Sequence, residues 1–157
     1  MSAIFSLDNK RAVITGGLGL IGLSIVDTFV QLGGEVIILD IDDEKAKKIV
    51  EKYKLRNKNV NYKNFDLSEL DNIAKCVDTL ESTYGAIDIW VNNAYLKTRD
   101  WNNDLEDISV ESWRKNIDMQ LNSYCICSNE IAKRMAKKKQ GVVVNVGSIY
   151  GVNAPDF

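Results

Sequence analysis

The sequence predicts an α/β protein, a doubly wound parallel sheet with helices on both faces. Three observations carry this expectation. Short apolar runs alternate with stretches of helical length along the whole chain. Runs such as Val36–Leu39 and Val142–Val146 are nearly continuous in apolar character, as in strands covered on both faces. The glycines and acidic residues fall at the joins between runs. No internal repeat, low-complexity tract or linker interrupts the pattern, so residues 1–157 read as one domain.

The elements follow in order. Ser2 to Lys10 is a polar lead-in. Ala12-Val13-Ile14 is the first strand, followed at once by Thr15 and the glycines Gly16, Gly17, Gly19 and Gly22. An apolar helix spans Leu20 to Leu32, and Gly33-Gly34 stops it. Glu35 to Leu39 is the second strand, and it ends in Asp40. Asp42-Asp43-Glu44 places acid at the start of a helix running to about Leu55. Val60 to Phe65 is a short third strand closed by Asp66-Leu67. Ser68 to Asp71 has the spacing of a capping box, opening a helix to about Tyr84 that Gly85 ends. Ile87 to Val91 is the fourth strand, with Asn92-Asn93-Ala94-Tyr95 at its C-terminal end. A polar loop containing Trp101 leads to a long helix from about Ser109 to Lys138. Val142 to Val146 is a fifth strand, expected to be buried on both faces and paired on both edges, and Gly147–Gly151 is the turn after it.

The glycine stretch carries the first chemistry. Gly17-Leu18-Gly19-Leu20-Ile21-Gly22 fits G-x-G-x-x-G between a strand and a helix. The first glycine allows a tight turn, the second lets backbone approach a pyrophosphate, and the third lets helix pack on strand. Free N–H groups at the helix start then face the anion. A lone fingerprint is equally an ordinary glycine turn. The second test is an acidic residue about 20 positions on, at the end of the next strand, and Asp40 meets it. Asp40 would accept hydrogen bonds from adenosine ribose hydroxyls and repel a 2′-phosphate; Ile41 follows it, and neither Gly17 nor Leu18 is basic. NAD is therefore preferred over NADP. The alternative is that Asp40 only caps the next helix.

Composition narrows the class. The net charge of −2 gives no general attraction to nucleic acid. Lys133-Arg134 and Lys137–Lys139 read as favourable charge at a helix C-terminus. No apolar run is long enough to cross a membrane and no signal pattern opens the chain, so a cytoplasmic protein is expected. Cys76, Cys125 and Cys127 form no paired framework and read as small buried residues on helices. The sequence contains no histidine. That excludes a Ser-His-Asp hydrolase, the common zinc sites and any histidine base.

Taken together, these segments resemble the short-chain dehydrogenase/reductase family over essentially the whole chain. Thr15 to Gly22 resembles its T-G-x-x-x-G-x-G motif, with Leu20 where the middle glycine is usual. Asp66-Leu67 resembles the pair beside the adenine, and Asn92-Asn93-Ala94-Tyr95 resembles Asn-Asn-Ala-Gly with Tyr95 in the glycine's place. The resemblance implies a Rossmann-like fold. It implies cofactor contacts at Gly16, Gly17, Gly19, Leu20, Ile21, Gly22, Asp40, Ile41, Asp66, Leu67, Asn93, Ala94 and Tyr95. It also implies hydride transfer between nicotinamide and a carbonyl or alcohol carbon of a small molecule. Val144 to Ser148 resembles the strand that delivers the catalytic serine, so Ser148 would hydrogen-bond the reacting oxygen. Tyr150 has the wrong spacing for the family's tyrosine and reads as a site wall. Gln120, seven positions after Trp113, stands where an asparagine usually holds a water in a proton relay; Asn122 points to another face.

The family's Tyr-x-x-x-Lys pair lies beyond Phe157, so the chain is expected to be the N-terminal part of a longer oxidoreductase, with C-terminal strands missing. Alone it would bind cofactor and be nearly inactive, because a positioned acid or base contributes roughly 10²–10⁴ in rate. Gly147 to Phe157, with the Tyr95 corner, resembles a branch found among bacterial surface-glycan and flagellin-modification proteins, implying a sugar or nucleotide-sugar substrate. Members usually form homo-oligomers through the long helix; Met119, Leu121, Tyr124, Ile126 and Ile131 could serve that contact or pack on the chain's own sheet. A non-catalytic NAD-binding module, or a fragment without a role of its own, are the competing classes.

Overall fold

Strand β1 (Arg11–Thr15) lies at the centre of the sheet. In this computed structural model, which describes residues 5–153, it pairs with β2 (Glu35–Asp40) on one side and β4 (Ile89–Asn92) on the other. Outside these lie β3 (Val60–Asn64) and β5 (Val142–Asn145), giving the order β3-β2-β1-β4-β5 with every pairing parallel. Met1–Ile4 of the lead-in and Ala154–Phe157 of the glycan-branch resemblance fall outside the described residues.

The helices divide between the two faces, which explains the continuous apolar strands. Ile14, Val36, Ile38 and Val91 point to one face, where α1 (Leu20–Gln31) supplies Val26 and Val30, and α2 (Asp43–Lys54) supplies Ala46 and Tyr53. Val13, Ile37, Leu39 and Trp90 point to the other. There α3 (Ile73–Tyr84) supplies Ile73, Val77 and Leu80, and α5 (Ser123–Lys138) supplies Cys127, Ile131 and Met135. Alternate residues of each strand therefore enter opposite cores. Side chains such as Val13, Ile14 and Trp90 have no solvent exposure, and each contributes roughly 1.5–3 kcal/mol of burial.

Helix ends follow the local chemistry with one exception. Asp42 caps α2, its Oδ1 accepting the Lys45 N–H at 2.9 Å. Gly33 and Gly85, at φ of 90° and 89°, stop α1 and α3. The capping box expected at Ser68 does not form. The Asp66 carboxylate instead accepts the Ser68 N–H at 2.8 Å, and a 3-10 turn over Leu70–Asn72 delays α3 until Ile73.

Three further expectations are corrected. The helix expected from Ser109 to Lys138 is broken: α4 (Val110–Ile117) passes through a π-helical turn at Asp118–Asn122 into α5. At the junction, the Ser123 hydroxyl bonds back to the Met119 carbonyl at 2.7 Å, a contact that bends helices. The fifth strand is not buried on both faces. Among the described residues β5 pairs with β4 alone, leaving Val142 and Val144 exposed at 55% and 42% while Val143 packs into the α3/α5 core. Cys125, unlike Cys76 and Cys127, is exposed. Of the long-helix residues that could serve a subunit contact or pack on the chain's own sheet, Met119 and Ile131 are buried within this chain, whereas Leu121 is exposed.

Candidate cofactor-binding site

The glycine turn is shaped by two close approaches. Gly16 sits at φ 61°, and a Cβ there would lie 2.7 Å from the Ala94 Cα. A Cβ on Gly22 would lie 2.2 Å from the Gly16 carbonyl oxygen, so helix α1 can reach the turn only with glycine at that position. Gly19 begins α1 in extended backbone without a side-chain cap. The first-turn N–H groups of α1 are thus left to an anion rather than to a capping oxygen. Leu20, in place of the family's middle glycine, is 92% exposed and clears the turn.

Asp40 is tied to this turn. Its Oδ2 accepts the Leu18 N–H at 3.0 Å and its Oδ1 accepts the Ile41 N–H at 2.8 Å. The helix-capping alternative is excluded, because Asp42 caps α2. Each carboxylate oxygen keeps a further lone pair, so ribose hydroxyls can still donate to Asp40.

On the other flank, Thr15 locks β1 to the end of β4. Its Oγ1 accepts the N–H groups of Asn93 at 2.9 Å and Ala94 at 3.0 Å. Asn93 Nδ2 donates as well to the carbonyls of Thr15 at 3.0 Å and Gly16 at 3.1 Å. Asn92 extends the tie outward: its Nδ2 donates to Asn145 Oδ1 at 2.7 Å and to Ser128 Oγ at 3.0 Å, while its Oδ1 accepts from Trp90 Nε1 at 2.8 Å. The Tyr124 hydroxyl donates to the Ala94 carbonyl at 3.0 Å, and burial pushes its pKa up to about 12.

These elements enclose a cleft of about 620 Å³ at the C-terminal ends of β1, β2 and β4, the position at which ligands bind in open parallel sheets. Of the residues expected from sequence, Gly16, Gly19, Leu20, Ile21, Gly22, Asp40, Ile41, Leu67, Asn93, Ala94 and Tyr95 line it. Gly17 is buried beneath the turn, and Asp66 lies outside the lining, its Oδ1 accepting the Ser68 N–H. Gln120 and Ser148 lie outside the lining. The Gln120 amide donates to the Leu96 carbonyl, and Asn122 donates to Asp118 Oδ1 at 2.7 Å. Ser148 is exposed, with its Oγ accepting the Tyr150 N–H at 3.2 Å. Sequence reasoning missed Lys45, Phe65 and Lys97 in the walls, because helix and loop residues at those places carry no spacing signal. It gave Thr15 no role, although Thr15 opens the glycine motif.

The model of the short chain dehydrogenase family matches residues 10–156. The 3-oxoacyl-acyl-carrier-protein reductase of Chlamydia pneumoniae is 31% identical over 144 residues, covering 92% of this chain and 57% of that protein. The D-xylose 1-dehydrogenase of Caulobacter vibrioides is 34% identical over 149 residues, covering 94% and 57%. Among solved structures, a gluconate 5-dehydrogenase from Burkholderia cenocepacia in complex with NADP and tartrate superposes with a TM-score of 0.85 at 27% identity, covering 96% of this chain and 58% of that one. A parallel sheet with a glycine turn and a cleft at its C-terminal ends defines a nucleotide-binding α/β protein. The chain belongs to the short-chain dehydrogenase family. It spans a little over half the length of the curated relatives it matches.

Proposed function

We propose that this chain is the cofactor-binding part, one domain over residues 1–157, of an NAD-dependent oxidoreductase acting on a carbonyl or alcohol of a small, sugar-derived substrate. The observation that carries the reading is Asp40, a carboxylate in the cleft wall fastened to the glycine turn at Leu18. The residues present fit a nicotinamide dinucleotide. The uncapped start of α1 suits the pyrophosphate, and a carboxylate at the end of β2 suits the ribose hydroxyls and disfavours a 2′-phosphate. Lys45 stands in the same wall, which makes NADPH the necessary comparison.

The cofactor, when bound, supplies hydride chemistry between its nicotinamide and the substrate carbon. The chain's own part is to bind and orient. Ser148 Oγ accepts from the Tyr150 amide, which leaves its hydrogen free to donate to a reacting oxygen. The chain spans a little over half the length of its curated relatives, and on this reading it is expected alone to bind cofactor with little turnover. The exposed Val110, Trp113, Ile117 and Leu121, spaced three or four residues apart on α4 and the π turn, support self-association. Among the described residues no helix is long and apolar enough to cross a membrane; the reading places the protein in the cytoplasm.

The test is a fluorescence titration with NADH, with NADPH in parallel and Asp40→Ala as control. Saturable NADH binding, tighter than NADPH and weakened by Asp40→Ala, is expected. Equal or tighter NADPH binding overturns the preference for NAD, and a folded chain that binds neither overturns the nucleotide reading.

One observation favours a second reading, a non-catalytic NAD-binding module: the amide of Gln120 is committed to the Leu96 carbonyl, so the relay group implied by family resemblance is engaged elsewhere. NADH consumption by the full open reading frame, assayed against a panel of carbonyl compounds, separates the two.

A further inference from the structure

The segment after β4 brings a cluster of two rings and an ammonium to the cleft wall. Tyr95 and Trp101 pack edge to face, with ring centroids 5.1 Å apart and planes at 81°. Lys97 Nζ lies 5.9 Å from the Tyr95 centroid and 5.8 Å from the Trp101 centroid. The ammonium is thus attracted by two ring quadrupoles at once. Among the described residues no carboxylate forms an ion pair with Lys97. Asp100, the nearest acid in sequence, faces away to α4, where its Oδ2 accepts the Ser109 N–H at 3.2 Å.

Place and chemistry then combine. Tyr95 and Lys97 line the cleft on the β4 flank of the glycine turn, with Asp40 on the β2 flank. The β4 flank is also the side from which Asn92 ties to Asn145 on β5, the strand leading to Ser148. A lysine already held over two rings loses less side-chain freedom when it meets a ligand. Its three donors and positive charge call for an oxyanion.

We propose that Lys97, held by Tyr95 and Trp101, binds a carboxylate or phosphate group of the substrate and so selects anionic sugar derivatives over neutral ones. This rests on the nucleotide-binding reading, which assigns the Asp40 flank to the adenosine and the β4 flank, nearer the strand leading to Ser148, to the nicotinamide end and the substrate. The similar gluconate 5-dehydrogenase holds tartrate, a hydroxy-carboxylate, which favours a carboxylate as the anion.

The experiment titrates the protein with D-gluconate, D-glucose 6-phosphate and D-glucose, following tryptophan fluorescence with and without saturating NADH. Saturable binding of gluconate or glucose 6-phosphate, and not of glucose, is expected; which of the two binds identifies the anion. Lys97→Met should weaken that binding about tenfold or more, and Lys97→Arg should retain most of it. Glucose binding as tight as gluconate, no binding of either anion, or anion binding that Lys97→Met leaves intact would each overturn the proposal. NADH binding by the same samples separates the failures: if NADH binds and the anions do not, only the role of Lys97 falls.

Discussion

Asn93 donates two hydrogen bonds to Thr15, 78 residues earlier in the chain: its N–H to the Thr15 hydroxyl oxygen and its side-chain amide to the Thr15 carbonyl. The Thr15 oxygen also accepts from Ala94, so Thr15→Val would leave two backbone N–H groups without a partner. Each such loss costs about 1–3 kcal/mol. Urea denaturation should show a destabilisation of at least about 2 kcal/mol for Thr15→Val and a smaller one for Thr15→Ser, which keeps the acceptor.

The glycines of the turn should separate into two kinds. Gly22→Ala drives a Cβ into the backbone of Gly16 and should cost stability, about 2 kcal/mol or more, together with NADH binding. Gly19 has ordinary extended backbone, and a Cβ there meets only the Gly16 carbonyl oxygen at 3.3 Å. Gly19→Ala should therefore leave the denaturation midpoint nearly unchanged while weakening NADH, because the new methyl occupies the path of the pyrophosphate. Equal loss of stability in the two variants would show that Gly19 is structural.

The three cysteines should react in a fixed order. Burial pushes the Cys76 thiol up to about 11 and, aided by the neighbouring Cys76, the Cys127 thiol up to about 12. Both are therefore protonated at neutral pH, and Cys125, which is exposed, should be alkylated first by iodoacetamide, as read by peptide mass spectrometry. The fold holds these two protons more tightly than the unfolded chain does. The resulting stability is complete below the ordinary thiol value of 9 and is lost as pH rises from there through 11 to 12. A melting temperature flat from pH 9 to 11 would contradict this assignment.

Gln120→Ala removes the only donor that α4 and its π turn send to the Leu96 carbonyl among the described residues. The expected result is faster amide exchange across residues 95–101 at a cost of about 1 kcal/mol. Unchanged exchange there would mean that the other ties, Tyr124 to Ala94, Asn116 to Thr98 and Ser109 to Asp100, fix the segment without Gln120.

What was legible in the sequence was what depends on local spacing. The glycine turn, the acidic end of β2, the five strands and most helix stops follow from residues adjacent in the chain. The capping box at Ser68 misled because Asp66, two positions earlier, competes for the same N–H. The π turn was invisible because it depends on how Gln120 and Ser123 bond, not on apolar period. Asn92 with Asn145, and Lys97 over Tyr95 and Trp101, are contacts that only tertiary placement creates. Ser148 was singled out by resemblance alone; the structure shows its hydroxyl oxygen bonded within its own turn.

The central position of β1 has a consequence in time. Its two neighbours are unequal in sequence: β2 begins 24 residues after β1, whereas β4 pairs with Ala12 through Ile89, 77 positions on. At a synthesis rate of ~5–20 residues per second, the glycine turn is synthesised roughly 4–15 s before Asn93 exists to hold it. During that interval the β4-facing edge of β1, with Val13 and Ile14, has no strand beside it. The nucleotide cleft is therefore a late product of folding, and NADH can stabilise the chain only after β4 has docked.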